Sequence, residues 1–264
     1  MRLVIIGACG RMGEAIARLS LERDHIELVG AVDARSSGES LGQRLGNPTL
    51  TLPITDQLAS VLSGADVVVD FSAPSATEAN LQACARAGVA VVVGTTGQGS
   101  GFAERIAPLT TQIPILIAAN TSLGVTLLSE LVRAAARALP TDFDIEIHEA
   151  HHRHKLDAPS GTALKLGHAA AEGRGGALES LQSGPYRSGE QRSPGAIGFS
   201  VSRGGDIVGE HTVRFAGPGE SLTLGHYATD RVIFARGALE AAAWLMGRPP
   251  GRYEMRDVLG IKTI

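Results

Sequence analysis

The chain has 264 residues, 44% of them hydrophobic and 19% charged, and carries a formal net charge of −3. That suits a globular protein of one large or two modest domains and excludes a global basic field for nucleic acid or an anionic membrane surface. No apolar run approaches the ~18 residues of a membrane-spanning helix; the short apolar stretch LVII is no signal peptide; and two cysteines, Cys9 and Cys84, build no disulfide framework, which points to a reducing cytoplasm.

The first 120 residues alternate between strands and helices. Leu3–Gly7 is a short apolar strand, followed by a helix from Arg11 to Leu21 with Met12, Ala15, Ile16 and Leu19 on one face. IELVGAVD (Ile26–Asp33) and ADVVVDFS (Ala65–Ser72) are further strands, the second buried on both faces to judge from its valines. A helix over Ser75–Ala87 is terminated by Gly88, and Val89–Gly94 and Ile113–Ala119 complete the strands. The alternation implies βαβ units and a parallel sheet covered on both faces.

After Asn120 the texture changes. A long helix spans Thr121 to Leu139 and stops at Pro140. Asp142–His151 alternates, with Phe143, Ile145 and Ile147 on one side and Asp144, Glu146 and His148 on the other, as in a half-buried strand. Residues 196–230 hold short alternating runs split by glycine-rich turns, which read as antiparallel sheet. An alanine-rich helix, Val232–Met246, ends at Gly247 and Pro249-Pro250. The expected fold class is therefore α/β: a Rossmann-like parallel-sheet domain of residues 1–121 and 232–264, and an α+β domain of residues 122–231 with a mixed, largely antiparallel sheet. The glycine-rich 172–195 region is loosely specified and expected to be mobile.

GACGRMG, Gly7 to Gly13, leaves the first strand and opens the first helix. Glycines allow a tight turn and close approach of backbone to a pyrophosphate, which the helix N-terminus then faces. Asp33 ends the second strand, where an acid holds an adenosine ribose diol. That carboxylate favours NAD, because it repels a 2′-phosphate; Arg35, and Arg11 in the turn, leave room for NADP. The ends of the later strands, Phe71-Ser72, Gly94-Thr95-Thr96 and Ala118-Ala119-Asn120, are either ordinary loops or the edge of a nicotinamide site.

The segment EAHHRHKLDAPSGTA, Glu149 to Ala163, gathers His151, His152, His154 and Lys155. It reads as a metal site, as a solvated basic patch, or as a site for an anionic substrate with an acid–base group. No cysteine and no metal-ligand spacing accompany the histidines. The flanks favour the third reading. Ser160 is a natural N-cap, and the Gly161 and Thr162 amides then open a helix toward a carboxylate. Lys155 adds a charged donor, and a histidine with a pKa near 6.5 is a workable proton donor at neutrality.

Together GACGRMG, DFSAPSAT, VVVGTTG, AANTSLGV, EIHEAHHRHKLDAPSGTA, GDIVGEHTV and the C-terminal RDVLG resemble the 4-hydroxy-tetrahydrodipicolinate reductase (dihydrodipicolinate reductase) family, over essentially the whole chain. The resemblance implies reduction of a cyclic unsaturated dicarboxylate in the diaminopimelate route to lysine, with hydride from NADH or NADPH. On the family pattern His151 matches the proton donor and acceptor, and Lys155 a second proton donor. His152 matches a substrate contact, and Gly161 with Thr162 the pair that holds a substrate carboxylate. Gly7, Ala8, Cys9, Gly10, Arg11, Met12, Asp33, Gly94, Thr95, Thr96, Ala118, Ala119, Asn120 and Thr121 match cofactor contacts. No metal, nucleic acid or membrane is implied; the partner is the small dicarboxylate, and the expected assembly is a homotetramer formed through the second domain. Many members follow the ribose acid at once with a basic residue, whereas here Ala34 intervenes before Arg35. The competing readings are a semialdehyde dehydrogenase, which needs a nucleophilic cysteine, and a non-catalytic dinucleotide sensor.

Overall fold

The computed structural model describes residues 1–184 and 188–261, which divide into two compact units. The first comprises Met1–Ser122 and the segment that begins at Val232; the second is Leu123–Arg231. Residues 185–187, in the region expected to be mobile, and 262–264, in the expected first domain, lie outside the described residues.

In the first unit, seven strands form one parallel sheet. In chain order they are β1 (Arg2–Ile6), β2 (Glu27–Val32), β3 (Ile54–Thr55), β4 (Val67–Asp70), β5 (Ala90–Val93), β6 (Pro114–Ile117) and, numbered after the second unit's strands, β11 (Gly251–Tyr253). Their spatial order is β11-β6-β5-β4-β1-β2-β3. The order reverses between β4 and β1, the switch point at which open α/β sheets bind ligands.

Both faces of this sheet are covered, as the valine runs imply. Val4, Ile6, Val68, Val91, Val93 and Ile115 pack with Leu81 of α3 (Pro74–Ala87) and Ile106 of α4 (Phe102–Thr110). Leu3, Ile5, Val67, Val69 and Val92 are likewise fully buried. Helices α1 (Arg11–Leu21) and α8 (Val232–Leu245) pack on each other, α1 against β1 and β2 and α8 against β4, β5 and β6. Small residues let them lie close: Ala235, Ala238, Ala241 and Ala242 of α8 are all fully buried.

The buried stripe of α1 is Gly13, Ile16, Ala17 and Ser20, a corrected version of the expected Met12–Ala15–Ile16–Leu19 face. The helix turns its smallest residues inward because it must sit on the preceding loop: a Cβ on Gly13 would lie 2.2 Å from the Gly7 carbonyl oxygen. Strands β3 and β11, helix α4 and the short helix α2 (Leu41–Leu45) add to the expected elements. Pro108 inside α4, and the glycines just before it, are signals that argue for loop.

The second unit is a four-stranded sheet under two helices. Strands β7 (Asp144–His151), β8 (Ile197–Arg203), β9 (Gly209–Gly217) and β10 (Glu220–Ala228) take the order β10-β9-β7-β8. The β10–β9 and β9–β7 pairs are antiparallel, whereas β7–β8 is parallel. The parallel pair follows from the chain between those strands, which carries α6 (Gly161–Gly173) and α7 (Leu178–Leu181) and returns β8 in the same direction. Helix α6 and helix α5 (Leu123–Ala138) cover the face formed by Ile145, Ile147, Val213, Phe215 and Ile197.

Candidate functional site

The two units carry distinct groups of candidate residues, and that of the first is built on the carboxyl ends of its strands. In the first unit the turn after β1 is shaped by glycine. Gly7 has φ +77°, and a Cβ there would stand 2.4 Å from the Phe71 carbonyl oxygen. Gly10 caps α1 without a side-chain hydrogen bond, so the first turn of an 11-residue helix presents its amides in the manner of an anion site. A side chain at Gly7 or Gly13 would fill this cradle, so the turn fits a pyrophosphate that approaches backbone closely.

Asp33 lies just past β2, 7% exposed. Its Oδ2 accepts the Cys9 N–H at 3.1 Å, and Arg35 donates through Nε to Oδ1 and Nη2 to Oδ2, each at 3.2 Å. Burial acts to raise the pKa of this carboxyl, but the bonds from Arg35 and Cys9 prevail and hold it below its ordinary range. A cavity of about 500 Å³ beside it is lined by Gly7, Asp33, Ala34, Arg35, Ser72 and Asn80, among others. A neighbouring cavity of about 570 Å³ shares Phe71 and Ser72 with it. Arg11, Met12, Gly94, Thr95, Thr96, Ala118, Ala119, Asn120 and Thr121 line this second space, so most of the expected cofactor residues meet here. Ala8, Cys9 and Gly10 form the turn itself and line neither cavity.

Several residues have duties that differ from those inferred from sequence. Gly94 is small because the Phe71 ring occupies the place of its side chain, 2.2 Å from a would-be Cβ. The Thr95 hydroxyl is 3.2 Å from both Oδ1 and the backbone carbonyl oxygen of Asp70. Asp70 is fully buried and also accepts from the Ser72 N–H at 2.8 Å and the Asn80 amide at 3.0 Å. It pins together the two loops that edge the cavity. Thr121 donates to the Phe234 carbonyl at 2.7 Å, which brings Phe234, absent from the sequence reading, to the cavity wall. Cys84 is fully buried, and burial with the nearby Asp70 charge pushes its thiol up to about 12. It is no nucleophile.

In the second unit the site grows out of the core face of the sheet. Strand β7 points Ile145 and Ile147 inward, in line with Phe143 just before it, and the same face continues to Glu149 and His151. Register places His211 of β9 opposite Glu149, and Arg203 of β8 beside His151. An apolar sheet face thus ends in four ionisable residues. Glu149 is fully buried and His151 is 8% exposed.

Glu149 Oε2 lies 2.6 Å from His151 Nδ1 and accepts Arg203 Nη1 at 2.8 Å. Its Oε1 accepts Arg203 Nη2 at 2.8 Å and the Ser160 N–H at 3.0 Å. Burial acts to raise this carboxyl, and the bonds from Arg203, His151 and Ser160 outweigh it and hold it low. The Ser160 hydroxyl is 3.0 Å from His211 Nε2 and accepts the Ala163 N–H at 3.2 Å, which makes it the N-cap of α6. His211 packs edge-on against His151 at 5.1 Å between centroids, and burial first, then the His151 charge, lowers its pKa to about 4.

Gly161 and Thr162 occupy the first two positions of α6, so Glu149 and His211 tie the helix start to His151. Lys155 pairs through Nζ with Asp157 Oδ1 at 2.8 Å. His152 faces a different space: Arg231 Nη2 is 3.2 Å from its Nε2, and with His154 and Arg231 it lines an open cavity of about 900 Å³. Burial and the Arg231 charge lower its pKa, which keeps the ring neutral near pH 7. The sequence reading missed Glu149, Arg203 and His211. The signal for the first was present, since a carboxylate two residues before His151 falls on the inward face of the strand.

Comparison with known proteins agrees along the whole chain. The model for the N-terminus of dihydrodipicolinate reductase matches residues 1–121, and that for its C-terminus matches residues 124–259. The 4-hydroxy-tetrahydrodipicolinate reductase of Ruegeria sp. (strain TM1040) is 49% identical over 264 residues, covering 98% of each chain. That of Anaeromyxobacter dehalogenans (strain 2CP-1) is 46% identical, covering 99% of this chain and 98% of the other. A dipicolinate-bound dihydrodipicolinate reductase from Paenisporosarcina sp. TG-14 superposes with a TM-score of 0.81 at 26% identity, over 97% of this chain and 98% of that one. The chain belongs to the 4-hydroxy-tetrahydrodipicolinate reductase (dihydrodipicolinate reductase) family, NAD(P)H-dependent oxidoreductases of the diaminopimelate route to lysine.

Proposed function

We propose that His151 is the proton donor and acceptor in reduction of 4-hydroxy-tetrahydrodipicolinate to tetrahydrodipicolinate, and that the start of α6 grips a substrate carboxylate. The observation that carries this reading is the short contact from His151 Nδ1 to the ionised Glu149, which leaves Nε2 to exchange a proton. Loss of the 4-hydroxyl as water leaves a ring carbon conjugated to C=N, and a reduced nicotinamide held in the first unit's cavity would supply the hydride to it. His151 delivers the accompanying proton from Nε2. Gly161 and Thr162 offer amides to the carboxylate. Lys155, released from Asp157, is a second proton donor or the counter-charge to the dianion, and His152 is a further substrate contact.

For the cofactor we propose Gly7, Ala8, Cys9, Gly10, Arg11 and Met12 around the pyrophosphate, Asp33 on the adenosine ribose, and Gly94–Thr96 with Ala118–Thr121 around the nicotinamide. NADH is the favoured coenzyme, since Asp33 repels a 2′-phosphate and Ala34 takes the place of a basic neighbour. Arg35, on the surface beside it, makes NADPH usable. We further propose a cytoplasmic homotetramer that associates through the second unit; the free, buried Cys9 and Cys84 are consistent with a reducing compartment. Among the described residues no helix is long and apolar enough to cross a membrane.

The test is a coupled assay. Aspartate semialdehyde and pyruvate are passed through the preceding synthase, and NADH and NADPH absorbance are followed separately. Oxidation of NADH that depends on the synthase product is expected. No oxidation of either coenzyme overturns the proposal.

A further inference from the structure

Glu149 is a fully buried carboxylate with four donors around it: Arg203 Nη1 and Nη2, the Ser160 amide and His151 Nδ1. Burying a charge is costly unless every lone pair is matched, and Arg203 with Ser160 already meets most of that need. The bond to His151 is the shortest of the four, at 2.6 Å. We propose that Glu149 is a positioning residue for the proton transfer: it fixes the His151 tautomer with Nδ1–H turned inward and Nε2 outward, and ties that ring to the helix start that holds the substrate carboxylate. This rests on the reading of His151 as the proton donor.

The chemistry follows from counting donors. The acid form of His151 carries a proton on each nitrogen. Release of the Nε2 proton to substrate leaves the neutral Nδ1–H ring, the form whose remaining proton Glu149 already accepts, so no tautomer exchange follows. Space at Nε2 is kept by Gly209 of β9, where a Cβ would approach that nitrogen to 3.0 Å. Arg203 holds the carboxylate from the far side, so its two oxygens cannot rotate away.

The same counting predicts what an isostere does. In Glu149→Gln the carbonyl oxygen must serve the side with two donors outside the imidazole, Arg203 Nη2 and the Ser160 N–H. The NH₂ then faces His151 and donates to Nδ1, which moves the ring proton to Nε2. The imidazolium form now meets donor against donor and becomes harder to populate. The charged or titratable groups around the ring are Glu149 on its own strand, Arg203 on β8, His211 on β9, and His152 and Lys155 in the following loop. Of these the variant alters only Glu149.

The experiment combines ¹⁵N spectra of the imidazoles with steady-state kinetics. Wild-type neutral His151 is expected as Nδ1–H, and Glu149→Gln as Nε2–H. The variant should lose about 10- to 100-fold in kcat with KM little changed, and its kcat should recover as pH falls. Glu149→Asp, which keeps the charge, should retain Nδ1–H and more activity than the Gln variant. A wild-type ring protonated on Nε2, or a Gln variant with wild-type kcat and pH profile, overturns the proposal. If the Gln variant does not fold, the wild-type spectrum decides alone. Wild-type Nδ1–H with no turnover of the dicarboxylate would instead refute the reading of the reaction, so the two failures are distinct.

Discussion

The guanidinium of Arg35 closes on both oxygens of Asp33, Nε to Oδ1 and Nη2 to Oδ2, each at 3.2 Å. A ribose diol that binds Asp33 must therefore displace Arg35, while a 2′-phosphate would draw Arg35 toward itself and leave the carboxylate facing a like charge. Asp33→Ala should raise KM for NADH by about tenfold or more, the worth of a charged hydrogen bond, and raise KM for NADPH less. Arg35→Ala should do the reverse, weakening NADPH while NADH is held or improved. Initial rates with each coenzyme check both; equal losses in the two coenzymes would remove the basis for a preference for NADH.

His151→Gln should lower kcat by about 10²- to 10⁴-fold, the usual contribution of a general acid. Coenzyme affinity, read from quenching or transfer fluorescence of NADH, should be unchanged, because His151 lies in the second unit and the nucleotide turn in the first. Wild-type turnover in this variant would end the assignment.

Gly161→Pro isolates a single amide. Gly161 is the first helical residue of α6, where proline is well tolerated. Ser160 has φ −64° and ψ 154°, already suited to a following proline. The helix and its Ser160 cap should survive, yet one N–H is gone. KM for the dicarboxylate should rise about 10- to 100-fold, as expected for a hydrogen bond to a charged group, with thermal stability near wild type. An unchanged KM would move the carboxylate site elsewhere.

His211 should make the fold acid-sensitive. Its pKa is lowered from 6.5 to about 4 by burial and by its neighbour His151, so the fold favours the neutral ring. The stabilisation is complete above pH 6.5 and is lost as pH falls toward 4, by up to about 3 kcal/mol. Glu149, held low by its donors, adds a second loss below the ordinary carboxylate range. Urea midpoints should therefore drop between pH 7 and 5, and His211→Asn should flatten that slope. A wild-type midpoint that does not change across this interval would contradict a buried neutral His211.

Much of this molecule was legible in its residues because the relevant signals are local. The valine runs of β4 and β5 mark strands buried on both faces, and Gly88, with φ +70°, stops α3 where expected. Ser160 caps α6 as its side-chain chemistry dictates. What was missed depended on partners distant in sequence. Helix α4 forms although it contains Pro108, because Phe102 and Ile106 fill the sheet face. Hydrophobic size alone points Met12 and Leu19 of α1 inward, whereas the close approach to Gly7 selects Gly13.

By itself, then, the amino-acid order determined the longer strands, the glycine turn, the family motifs and the chemical character of the His151 segment. Only the tertiary structure decided which ionisable groups meet. Glu149, Arg203 and His211 lie on three strands, with Glu149 and Arg203 54 positions apart along the chain, and nothing local pairs them. Strand register brings them to one end of an apolar face, where low polarity makes each unpaired charge costly and so forces the carboxylate, the guanidinium and the imidazoles into contact.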